Sequence, residues 1–187
     1  MRSDKADDEK AFTDEQAKTI LIATLATPSH LISTETRAAR RWVPWICAYS
    51  GARVNEITSL RPTDIQPFGK IWCIIIKLEL TKTDNVRRVP IHRHLVEQGF
   101  LEFVEQRRRI GLPLFYNPAR ARGGKNANPQ WQKVAERLGD WVRDSLHVVG
   151  VAPNHGWRHL FKAVARACRD GPRGRRLHHR SRHRQRQ

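Results

Sequence analysis

The stretch that decides the fold is residues 49–60, which read YSGARVNEITSL. Ser50 and Gly51 predict a turn between an apolar helix and a short helix over 53–60. Arg53 and Glu56 are three residues apart, so one helical turn brings the guanidinium and the carboxylate close enough to pair. Taken alone, such a pair is an ordinary surface salt bridge. It becomes a candidate anion site if further basic groups converge on Arg53.

A second candidate cluster is HGWRH at residues 155–159. His155 and Arg158 share one face of a helix that is predicted to start near Pro153. A histidine that moves protons beside a guanidinium fork suits phosphoryl transfer. The alternatives are a helix-start histidine next to a surface arginine, or metal binding by His155 and His159. The second alternative lacks the glutamate of a HExxH motif.

A third segment, TKTDNVRRVP at residues 81–90, carries Lys82. β-branched and aromatic residues over 71–77 predict a strand, and a second strand over 86–91 follows the turn signal at 83–85. A lysine at the tip of such a hairpin can reach into a DNA groove and donate a proton. The alternative is an edge lysine that blocks aggregation.

In this order, the three segments resemble the catalytic domain of tyrosine-type site-specific DNA recombinases, the phage-integrase family. The resemblance begins at AFTDEQAKTIL, residues 11–21, and continues to about residue 166. It implies a mainly α fold with a small antiparallel β-sheet.

The resemblance also implies a role for each candidate residue. Arg53 and Arg158 would clamp the scissile phosphate, and Glu56 would support Arg53. His155 would assist proton transfer, and Lys82 would protonate the leaving 5′-oxygen. A tyrosine would attack phosphorus to give a 3′-phosphotyrosyl intermediate, which requires neither metal nor cofactor.

The nucleophile that the family uses has no counterpart after the HxxR box of this sequence. The chain contains two tyrosines: Tyr49 is predicted to be core, and Tyr116 is predicted to be a structural loop residue. Residues 168–187 are rich in Arg and His, and a one-base shift of a back-translated sequence can read an amphipathic helix followed by Gly-His. We therefore expect a frameshift near Ala167 and a domain that does not cut DNA. The alternative is an active recombinase that uses Tyr49, Tyr116 or a tyrosine from a partner subunit.

The predicted organisation has three parts: a disordered segment over 1–11, an incomplete catalytic domain over 12–166, and a basic tail over 167–187. Helices are predicted at about 13–26, 37–49, 53–60, 93–109, 129–148 and 153–164. Thr13 and Gln16 form a capping box for the first helix. Asn128 and Pro129 are predicted as the cap and the first residue of the helix over 129–148.

Composition narrows the class of partner. Lys and Arg number 35 against 18 Asp and Glu, a net charge of +17, which favours double-stranded DNA as the partner. Nine arginines lie within residues 166–187, so a non-catalytic protein that binds nucleic acid through its tail is the alternative. The three cysteines are far apart and indicate neither a zinc module nor a disulfide framework. We expect a cytoplasmic protein that assembles as a homo-oligomer on DNA and has no membrane span and no small-molecule substrate.

Overall fold

The structure of the chain, a computed structural model, describes residues 9–77, 86–121 and 128–170. These residues form seven α-helices and a three-stranded sheet, so the predicted mainly α fold with a small antiparallel sheet is confirmed. Helix α1 spans Asp14–Ala23 and begins at the predicted capping box. In this box the Gln16 amide N–H donates to the Thr13 hydroxyl over 3.2 Å, and the Thr13 N–H donates to the Gln16 side chain over 3.0 Å.

Helix α2 spans Thr34–Ser50 and forms the centre of the core. Its start lies three residues before the predicted one, because the Ser33 hydroxyl caps the helix by accepting from the Thr36 N–H. The predicted loop over 27–36 was therefore wrong for its last three residues. Helix α2 packs against the last helix of the described chain and against the short helix α3, Val54–Thr58, which follows the Gly51 turn.

The sheet consists of β1 (Ile65–Phe68), β2 (Ile71–Lys77) and β3 (Val86–Pro90), in the order β1-β2-β3. Both pairs are antiparallel, so the predicted pairing of the second and third strands is confirmed. Strand β1 was missed because Pro67 lies within its four residues, and proline lacks the N–H of a ladder strand.

The region predicted as one helix over 93–109 is two helices. Helix α4 spans Arg93–Glu97 and α5 spans Phe100–Arg109. Gly99 lies between them with a φ of 87°, a left-handed conformation that a continuous helix cannot contain. The prediction was wrong at this break because the apolar pattern continues across it.

The region predicted as one helix over 129–148 is also divided. Helix α6 spans Gln130–Asp140, and a π-helical turn, Trp141–Ser145, follows it. Pro129, rather than Asn128, is the N-cap residue, so the predicted cap was one residue early. The predicted apolar face is buried where it includes Val134, Ala135, Leu138, Trp141 and Val142.

The last described helix, α7, spans Pro153–Asp170 and continues six residues beyond its predicted end at 164. It packs against α2 and α6, and Trp157 is buried against the ring of Phe12 at a centroid distance of 5.0 Å. Phe161 and Val164 remain 37% and 53% exposed on the same helix. In the described ranges, no helix combines the length and the hydrophobicity needed to cross a bilayer.

Candidate functional site

The turn between α2 and α3 places Arg53 at the surface. Gly51 ends α2 with a φ of 61°, and its N–H donates to the Cys47 carbonyl over 2.9 Å. Arg53 then adopts an extended conformation as the residue before α3. Its side chain is 52% exposed, so it can reach a ligand in solution.

Glu56 holds Arg53 from within α3. One Glu56 oxygen, Oε2, accepts from the Arg53 backbone N–H over 2.8 Å, and the other, Oε1, accepts from Arg53 Nη1 over 3.1 Å. The carboxylate is only 12% exposed. The predicted Arg53–Glu56 pair is therefore present, and the backbone bond makes it more rigid than a pair between two mobile side chains.

Arg158 reaches the same turn from α7. Its Nη1 donates to the Gly51 carbonyl over 2.9 Å, across a separation of 107 residues. This bond uses one of the five N–H donors of a guanidinium. The structure thus brings Arg158 to the loop that carries Arg53.

The electrostatics of Arg158 show which charges surround it. Burial lowers its pKa, the positive charges of Arg53 and Arg87 lower the pKa further, and the negative charge of Glu56 raises it. Arg87 Nη2 also donates to Glu56 Oε2 over 3.1 Å. Arg53 and Arg87 therefore pair with Glu56, and Arg158 lies close enough for all three charges to act on it, which gives this cluster an excess of two positive charges that suits an anion.

His155 lies in the first turn of α7, three residues before Arg158 and on the same helix face. Its side chain is exposed, and its backbone N–H donates to the Ala152 carbonyl over 2.9 Å. Across the described ranges, no group of three or more His, Cys, Asp or Glu side chains is arranged to hold a metal ion.

Lys82 and the predicted turn at 83–85 lie outside the described residues. The strands on either side of that segment end opposite each other, because Lys77 of β2 is the register partner of Val86 of β3. The role of Lys82 stays a prediction.

Both tyrosines are engaged in the packing of the chain. The Tyr49 hydroxyl lies 3.0 Å from His94 Nδ1, and its ring stacks on His92 with centroids 4.0 Å apart. Tyr116 is buried, and its carbonyl accepts from Arg107 over 3.3 Å. Sequence reasoning predicted both residues to be structural but missed the histidine partners of Tyr49.

Arg87 is the site residue that sequence reasoning missed. The signal was the pair Arg87-Arg88 in β3, since alternate residues of a strand point to opposite faces. The sequence alone did not reveal which of the two would face Glu56.

Solved structures provide the comparison with known proteins. The chain is similar to the XerH site-specific recombinase bound to difH substrate in a pre-cleavage complex, with a TM-score of 0.59 and 21% identity. It is also similar to XerH bound to palindromic difH substrate in a post-cleavage complex, with a TM-score of 0.59 and 18% identity. Each match covers 87% of this chain and 44% of the XerH chain, so this chain spans less than half the length of those proteins.

No protein-family model and no curated protein matches the chain. From these likenesses we conclude that the chain has the mainly α fold, with one small antiparallel sheet, that forms part of the XerH recombinase structures.

Proposed function

We propose that this chain is a recombinase-type domain that binds double-stranded DNA by holding one backbone phosphate between Arg53 and Arg158. The observation that carries the proposal is the bond from Arg158 to the Gly51 carbonyl, which joins the last described helix to the Arg53 turn. The proposed setting is the cytoplasm, with further copies of the chain bound to the same duplex. The fold shared with DNA-bound recombinase structures supports this proposal.

The chemistry of the two arginines suits a phosphodiester. A guanidinium presents a planar fork of N–H donors that matches two phosphate oxygens. Two such forks aimed at one phosphate would stabilise charge on its non-bridging oxygens during strand transfer. In the proposed site His155 would move a proton and Lys82 would protonate the leaving 5′-oxygen. The chain's net charge of +17 would add sequence-independent affinity.

We further propose that this chain does not cleave DNA itself. In-line attack requires a nucleophile within about 3–3.5 Å of phosphorus. Tyr116 is buried and the Tyr49 hydroxyl is paired with His94, which supports a structural role for both. Incubation with nicked duplexes that trap a covalent intermediate should give no 3′-phosphotyrosyl adduct. An adduct that disappears in Tyr49→Phe or Tyr116→Phe would overturn this part of the proposal.

The phosphate site is tested by the salt dependence of duplex binding. Arg53→Gln and Arg158→Gln should each weaken binding and lower the slope of log K against log salt by about 1. Arg109→Gln is the charge-matched control, because Arg109 is 77% exposed at the end of α5 and pairs with Glu105. Equal losses in all three variants would show that only bulk charge is involved and would contradict the proposal.

The second candidate is a nucleic-acid-binding protein that acts through its tail. Seven arginines within residues 171–187 favour it. Deletion of 171–187 leaves α7 intact, because that helix ends at Asp170. If the shortened chain keeps its response to Arg53→Gln, the folded domain is the binder. If duplex binding disappears with the tail, the second candidate replaces the first.

A further inference from the structure

We propose that Arg87 is a positioning residue of the phosphate site, which fixes Glu56 and through it the guanidinium of Arg53. This inference rests on the proposed function and adds a residue that the resemblance does not assign. Arg87 has this role in the free protein, since its contacts exist without DNA. We expect it to affect DNA binding as a consequence.

The Glu56 carboxylate accepts hydrogen bonds from both Arg53 and Arg87. Its Oε2 accepts from two groups, the Arg53 N–H over 2.8 Å and Arg87 Nη2 over 3.1 Å. Its Oε1 accepts from Arg53 Nη1 over 3.1 Å. Because the carboxylate is 12% exposed, water replaces a lost partner poorly, and charge-assisted bonds of this kind set its orientation. Removing Arg87 leaves Glu56 held from α3 alone.

The register of the sheet explains why Arg87 makes this contact. Arg87 is opposite Ile76, and paired residues of neighbouring strands lie on the same face. Ile76 is 2% exposed, so this is the face that packs on the core. Arg88 points to the other face, where its guanidinium lies 4.5 Å from the centroid of the Phe68 ring. Two adjacent arginines therefore have different surroundings.

The position of Arg87 connects three parts of the site. It is the second residue of β3, five residues after Lys82 in the sequence. It pairs with Glu56 of α3, and its charge also acts on Arg158 of α7. An ion pair at this point holds β3 against α3, so the strand that follows the Lys82 segment is attached to the element that carries Arg53.

The test compares Arg87→Gln with the matched control Arg88→Gln in the full chain. The first readout is the NMR order parameter of the Arg53 Nε–H bond in the absence of DNA. It should fall in Arg87→Gln and stay at the wild-type value in Arg88→Gln. An unchanged Arg53 order parameter in Arg87→Gln would overturn the inference.

The second readout is duplex affinity. Arg87→Gln should lose about tenfold more affinity than Arg88→Gln, and Glu56→Gln combined with Arg87→Gln should bind no more weakly than Glu56→Gln alone. Arg87→Lys retains the charge without the fork. If Arg87→Lys has the affinity and the salt slope of the wild type although Arg53 is mobile in it, Arg87 acts through bulk charge and the inference fails. If Arg87→Gln does not fold, the Arg53 order parameter is measured in Arg87→Lys instead.

The two proposals fail in different ways. If Arg53→Gln binds duplex like the wild type, the phosphate site is wrong, whereas the Arg53 order parameter still decides the positioning role. If Arg53→Gln weakens binding but Arg87→Gln behaves like Arg88→Gln in both readouts, the phosphate site stands and the role of Arg87 is refuted.

Discussion

At the scale of single residues, Gly51 supports the proposed site in two ways. Its carbonyl accepts from Arg158, and its left-handed φ of 61° turns the chain toward Arg53. A Cβ at this position would lie 2.5 Å from Cδ1 of Phe161 on α7. The turn and the α7 contact therefore both require glycine.

Gly51→Ala should reduce the free energy of unfolding. A left-handed alanine costs about 1–2 kcal/mol, and displacing the Phe161 ring adds about 1–3 kcal/mol. Gly69→Ala is the matched control, because Gly69 has a φ of 60° and nothing within 4 Å of the added Cβ. Urea unfolding of both variants measures this, because the difference between their losses is the cost of displacing the Phe161 ring. Equal losses would show that Phe161 does not press on the turn.

The thiol of Cys47, near the same turn, should make the free energy of unfolding depend on pH. Burial raises its pKa, and the negative charge of Glu56 raises it further, so the folded protein keeps a neutral thiol. The unfolded chain ionises this thiol above about pH 8.5, so stability is lost as pH rises beyond that value. Cys47→Ala should remove up to about 1.4 kcal/mol per pH unit from this loss. Urea unfolding between pH 8 and 10 measures it, and identical slopes for wild type and variant would contradict the prediction.

At the scale of elements, α7 approaches the N-terminal part of the chain closely. A Cβ at Gly156 would lie 2.7 Å from the ring of Phe12, which is 2% exposed. Gly139 of α6 differs, since its Cβ would meet Asn154 at 3.7 Å, an ordinary contact. Both glycines lie within helices, so the two sites separate close packing from helix propensity.

Gly156→Ala and Gly139→Ala should shift stability in opposite directions. Alanine in a helix gains about 1 kcal/mol over glycine, which should stabilise the α6 variant. In α7 this gain is smaller than the cost of about 1–3 kcal/mol for forcing Phe12 to move. Thermal unfolding of the two variants provides the comparison. A higher melting temperature for Gly156→Ala would mean that Phe12 is not packed as the structure has it.

The elements also show what the sequence could and could not predict. The α1 capping box and the β2–β3 pair follow local rules, and both are confirmed. Ser33 indicates the start of α2, because its hydroxyl caps the helix by accepting from the Thr36 N–H. The start was predicted too late because the apolar pattern begins after it. The π-helical turn at Trp141–Ser145 has no local signature, because tertiary packing decides where a helix widens.

The candidate site could be predicted only in part for a similar reason. Arg53 and Glu56 are neighbours along the chain, so their pairing follows from helical spacing. The bond from Arg158 to Gly51 spans 107 residues and was not predicted, since the family resemblance implied only that Arg53 and Arg158 would clamp the same phosphate. The choice between Arg87 and Arg88 depends on strand register, which the packing of Ile76 against the core decides.

At the scale of the whole molecule, the proposed phosphate site depends on three separate elements, each of which contributes one positive charge. Arg53 comes from the turn before α3, Arg87 from β3 and Arg158 from α7. Arg53 and Arg87 pair with Glu56, and the charges of all three of these residues act on Arg158. No element alone creates the excess of positive charge. The proposed function therefore requires the folded domain, whereas tail binding does not.

A crystal structure of the chain bound to a short DNA duplex measures this convergence directly. We expect one backbone phosphate with the Arg53 and Arg158 guanidinium groups both within about 3 Å of its oxygens, and Arg87 still paired with Glu56. A complex in which Arg53 and Arg158 contact different phosphates, or in which the duplex lies on another face of the domain, would contradict it.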